Sequence, residues 1–134
     1  MSAKKIVKAF YDSNLALDEN IIDMFHEDCV LHWNSSQGFS TINKAGIAEM
    51  LKGVKESYLS FNYRLSHLLG DGDTITARYT IYCTTIERPT KEEPLAHFIS
   101  IWEVKDNKLY KGHEISQKLD DSVENLTSFS EIKL

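Results

Sequence analysis

Proton-transfer chemistry needs a titratable side chain held out of water, and this sequence offers few. Glu114 is the foremost: it lies in the segment Lys108-Leu109-Tyr110-Lys111-Gly112-His113-Glu114-Ile115-Ser116-Gln117, on a strand face shared with Tyr110, Gly112 and Ser116. An acid there faces either water or an interior wall. Against an aromatic interior, desolvation raises its pKa toward neutrality, the condition for general acid or base work. His67, just before Gly70-Asp71-Gly72-Asp73, is either a pocket acid or a histidine hydrogen-bonded at the sheet edge.

Other chemistries lack their residues. No glycine-rich phosphate loop, nucleophile elbow or zinc-protease helix motif occurs. His113-Glu114 has Gln117 where a second zinc histidine would stand, and on a strand those two positions are about 13 Å apart. The five histidines form no local cluster. Neither a metal site nor a cofactor is expected. Cys29 and Cys83 are far apart without a CxxC, so a disulfide scaffold is not indicated and a reducing compartment fits.

These residues belong to a chain of 134 residues that reads as one domain over 1–119, with 42% apolar residues, 14 aromatics and a net charge of −5. That balance disfavours nucleic acid as a partner. The N-terminal residues form no secretory core, and no stretch is as long as a membrane span, so a cytoplasmic protein without membrane contact is expected.

The first half has helical periodicity. Ile6, Val7, Phe10, Tyr11 and Leu15 predict a helix over Lys4–Leu17, Asp18 caps a short second helix with Ile21, Ile22 and Phe25, and Ser40 or Thr41 caps a third bearing Ile47, Met50, Leu51, Val54 and Tyr58. Cys29–Trp33 is a strand between the second and third. After Tyr58 the period becomes two: Phe61–Leu65, then Thr74–Thr84 beyond an Asp-Gly turn, Ala96–Val104 beyond a loop with Pro89 and Pro94, and Leu109–Leu119 beyond Asp106-Asn107. Helices followed by a meander predict an α+β domain with helices on one face of a curved antiparallel sheet. In Ala96–Val104, Phe98, Ser100 and Trp102 point one way while Ile99 and Ile101 point the other. Two outward isoleucines predict a covered outer face, most simply a homodimer through it, with His32, Arg78 and His97 near the contact. Residues 120–134 are expected to form a tail that docks or frays.

This element order, with Asn107–Gln117 at its end, resembles the nuclear transport factor 2-like superfamily, nearest its SnoaL-like (polyketide cyclase-like) branch. Members of that branch often end in a turn followed by GKIxEHWDxxQ; Lys108, Leu109 and Gln117 match or are conservative here and Glu114 takes the place of the acid, while Asn107, Gly112 and His113 depart from the pattern. The resemblance spans residues 3–119. It implies a cone-shaped half-barrel, a curved and partly mixed sheet with about three N-terminal helices packed on its concave face and an apolar pocket inside.

It also implies roles for particular residues. Glu114 becomes the general acid or base. Its usual strand partner, an Asp or His, falls at Ser100, which does not titrate. The base of the steroid-isomerase branch falls near Trp33, and the Asp-Arg-Asp set of limonene epoxide hydrolase-like members has no equivalent. Trp33, Tyr63, Tyr79, Phe98, Trp102 and Met50 become the pocket wall, although aromatics at such positions also serve simply as core. The expected ligand is an apolar or ring-containing small molecule. If the protein is an enzyme, cofactor-independent isomerisation, cyclisation or hydration is expected, with Glu114 moving the proton and Tyr63, His67 or Ser100 binding the developing oxyanion. The alternatives are a non-catalytic dimeric binding module and a carrier of a lipid-like molecule.

Overall fold

The structure is a computed structural model, and it describes residues 2–119 and 122–129. Helix α1 (Ala3–Tyr11) starts at Ser2, whose hydroxyl accepts from the Lys5 amide, and buries Ala3, Val7, Phe10 and Tyr11. It ends six residues short of the periodicity because the following backbone finds tertiary partners: the Asn14 side-chain oxygen accepts from the amides of Ala16 and Phe61, and the Leu15 amide donates to the Phe61 carbonyl. A short 3-10 helix (Ile21–Met24) follows.

Strand β1 (Phe25–Ser35) is longer than expected, and β2 (Gly38–Asn43) was not expected at all. The latter is an exposed edge strand with only Ile42 partly buried, so its sequence carries no alternation to read. Asn43, rather than Ser40 or Thr41, caps helix α2 (Lys44–Ser57), its side chain accepting from the Gly46 amide at 2.9 Å. Strands β3 (Tyr58–Asp71), β4 (Thr74–Thr85), β5 (Glu92–Lys105) and β6 (Lys108–Lys118) form the meander. Gly72 at φ +61° and the Asp106-Asn107 pair at +55° and +60° make the tight turns between them. Pro94 falls within β5, at a break in its register with β4.

The six strands run in the order β2-β1-β6-β5-β4-β3, antiparallel except for the β1–β6 pair. This is an α+β fold with an open, curved, mixed sheet. Register shifts at Leu65/His67, Ile81/Tyr82 and Glu103/Val104 bend the long strands. Helices α1 and α2 lie across the concave face, α1 over β3 to β6 and α2 against β1 to β3.

The outer face is covered in one part and open in another. Helix α3 (Val123–Thr127) and Phe129 lie over one part: His97 Nε2 contacts the Asn125 carbonyl at 2.7 Å, its ring stacks on Phe129, and the Arg78 guanidinium sits over the same ring. His97 is therefore buried by its own chain. Elsewhere Ile99, Ile101 and Ile115 stand 42%, 40% and 60% exposed.

Candidate active-site cavity

The register of the sheet brings the expected site together. Trp33 on β1 pairs with Glu114 on β6, Glu114 with Ser100 on β5, and Ser100 with Ala77 on β4, a row across four strands on the concave face. Tyr79, two residues along β4, reaches the same point. Glu114 Oε2 accepts from the Ser100 hydroxyl at 2.8 Å and from the Tyr79 hydroxyl at 3.0 Å, and those two hydroxyl oxygens are 2.8 Å apart. Tyr11 from α1 closes the cluster: its oxygen accepts from Trp102 Nε1 at 3.1 Å and its ring lies 4.7 Å from that of Tyr79.

Both hydroxyls donate to Oε2, so a proton held by Glu114 is carried on Oε1, to which no protein group among the described residues donates. Burial raises the Glu114 pKa above the usual carboxyl value, while the hydrogen bonds from Ser100 and Tyr79 pull it partly back. The phenols of Tyr63 and Tyr79 are raised well above their ordinary value, first by burial and then by neighbours that include Glu114 and Tyr11, so they stay protonated donors.

Glu114 lines a cavity of about 340 Å³ between the concave sheet and the helices. Its floor is apolar and buried: Phe10, Phe25, Leu31 and Trp102. Gly112 makes this floor possible, since a Cβ there would lie 2.7 Å from the Trp102 ring and 2.9 Å from Leu31. Tyr79, Phe98 and Trp33 form one wall of nearly parallel rings. Exposed Ser36, Gln37, Met50 and Lys118 surround the mouth.

All six expected wall residues, Trp33, Tyr63, Tyr79, Phe98, Trp102 and Met50, line the cavity with Glu114. Ser100 lies behind Glu114, fully buried, and meets the cavity through it. His67 is not on the wall; it sits at the β3 bulge with Nδ1 2.9 Å from the Ser66 hydroxyl. Sequence reasoning missed Tyr11, Ser116 and Lys118. The last two continue the alternation that singled out Glu114, and that signal was available. Among the described residues no group of three or more His, Cys, Asp or Glu side chains converges.

Residues 6–111 match the family model of the SnoaL-like domain. The chain belongs to the SnoaL-like family. The matched span stops short of Glu114, so the family match does not bear on that residue. Solved structures share the fold of this SnoaL-like domain at low identity. IdmH of Streptomyces antibioticus, a proposed polyketide cyclase, has a TM-score of 0.68 at 13% identity, covering 98% of this chain and all of that one. A phenazine biosynthesis-related protein of Pseudomonas aeruginosa gives 0.68 at 14%, covering 98% and 86%. An epoxide hydrolase of the LEH-like type from M. tuberculosis gives 0.63 at 17%, covering 95% and 87%. Among curated proteins, no sequence matches. The fold is thus nuclear transport factor 2-like, and no helix among the described residues is long and apolar enough to cross a membrane.

Proposed function

We propose that this SnoaL-like domain binds an apolar, ring-sized molecule in its cavity and moves a proton on it through Glu114, without a cofactor. The observation that carries the reading is the placement of one carboxyl on an otherwise apolar wall, with Oε2 held by two hydroxyls and Oε1 given no protein donor among the described residues. Neutral Glu114 donates its proton to a substrate carbonyl oxygen. The carboxylate left behind is stabilised by Ser100 and Tyr79, and it then takes a proton from the adjacent carbon, which returns the enzyme to its starting state and leaves an isomerised substrate. The same donation starts a cyclisation or a hydration. Tyr63, a wall phenol kept protonated by burial, is the further donor for the developing oxyanion.

Glu114→Gln tests this on an isolated activity: turnover should be lost while binding of the same compound persists. If turnover persists, the assignment fails. An unaltered protein that binds apolar ligands and turns none of them over would instead be a carrier.

The uncovered isoleucines support self-association through the outer face, with Ile99, Ile101 and Ile115 at the contact and the α3 segment bordering it. The two cysteines are free and buried, and burial pushes the Cys29 thiol up to about 11, a state suited to the reducing cytoplasm.

A further inference from the structure

The cavity has a polarity along its length that the proposed reaction does not use. Of the described residues that line it, only the acid Glu114 and the base Lys118 are of charged type, and they lie on the same strand face four residues apart. Ser116 stands between them, its hydroxyl oxygen accepting from Trp33 Nε1 at 2.9 Å and its own proton free for another acceptor. Burial falls along this strand face: Gly112 lies beneath the Trp102 ring at the floor, Glu114 and Ser116 are half-buried, and Lys118 is exposed at the mouth. The rest of the wall is mostly aromatic and aliphatic.

The electrostatic balance of this rail is one-sided. With Glu114 neutral, as its burial favours, Lys118 is the only charge on the lining among the described residues. No carboxylate forms an ion pair with it among the described residues. The chain as a whole carries −5, so an anion is repelled at long range and needs a local cation to be retained. An extended strand places Glu114 and Lys118 about 13 Å apart, the length of a molecule with two or three rings and a short side arm.

We propose that the cavity selects a singly charged apolar carboxylic acid, seated with its ring system over the Trp33–Phe98–Tyr79 wall and its carboxylate at Lys118. This rests on the reading of the cavity as a ligand site. The acid group stays at the mouth, the neutral body fills the interior, and the group to be protonated lies beside Glu114. Lys118 is then a specificity residue with no part in the proton transfer.

Two fluorescent probes that differ only at the head test it: pyrenebutyrate and pyrenebutanol, titrated into the full chain at low and high salt. The acid should bind about three- to tenfold more tightly than the alcohol at low salt, the range of an ion pair at a half-sheltered mouth, and salt should erode the difference. Lys118→Gln should bring the acid down to the alcohol and leave the alcohol unchanged; as an exposed residue at a strand end it leaves folding intact, which circular dichroism verifies. Equal binding of the two probes to the unaltered protein, or a preference that survives Lys118→Gln, overturns this inference alone. Failure of both probes to bind overturns the ligand-site reading and this inference with it.

Discussion

The two faces of one sheet carry opposite designs. On the concave face Phe98, Ser100 and Trp102 are buried, closely partnered and arranged around a cavity; on the convex face their immediate neighbours Ile99 and Ile101 stand about two-fifths exposed. Both faces are apolar at β5, and the difference lies in what meets them. The concave side is covered by the chain's own helices, which leave a space, whereas among the described residues the convex side is covered only where α3 and Phe129 reach His97 and Arg78. Apolar residues on the first face build the fold and line the cavity; on the second they carry the proposed contact with a second copy.

Adjacent substitutions sharpen this contrast most. Phe98→Ala removes a ring stacked on Tyr79 and should cost about 3–5 kcal/mol of stability by denaturant unfolding. Ile99→Ala next to it should cost about 0.5 kcal/mol or less in the monomer. Equal losses would erase the distinction. Gly112→Ala drives a methyl into the Trp102 ring and should cost about 1–3 kcal/mol while shrinking the cavity; an unchanged midpoint would mean that the floor is not packed as described. Ile101→Asp should leave the monomer's melting point nearly unchanged but shift sedimentation from dimer to monomer. A dimer that tolerates it uses another surface.

The smallest expected effect depends on pH. Because the folded-state pKa of Glu114 is raised, the native protein holds more protons than the unfolded chain between the two pKa values, and stability falls as pH rises through that window. Glu114→Gln removes the cost of ionising a buried carboxyl, so it should be more stable than the unaltered protein at about pH 8, with the gap closing in acid. A constant gap across pH would show that Glu114 titrates as a solvated acid.

The legibility of the sequence followed the same division. The long strands were visible because one face of each is buried, so their alternation survives in Ile75, Ala77, Tyr79, Ile81 and Cys83. Strand β2 was invisible because both its faces meet water, and the end of α1 was misplaced because Asn14 exchanges helix bonds for bonds to Phe61. Glu114 and the aromatic wall were legible from alternation and resemblance together. The hydroxyl cluster was not. Tyr11 sits 103 residues from Glu114 and Tyr79 35 residues from it, and only sheet curvature and the seat of α1 bring their oxygens to one point. His67 carried the right chemistry in the sequence, but the β3 bulge places it beside Ser66, off the cavity wall.

The central claim is that Glu114 rests as a neutral acid, tuned by two hydroxyls. Infrared difference spectroscopy across a pH titration reads it directly, as the carboxylic C=O stretch present in the unaltered protein and missing from Glu114→Gln. That band should persist above the ordinary carboxyl range, and in Ser100→Ala, which takes away one donor to the carboxylate, it should persist to higher pH still. A band that vanishes at the pH of a solvated glutamate, and is indifferent to Ser100→Ala, would contradict the account.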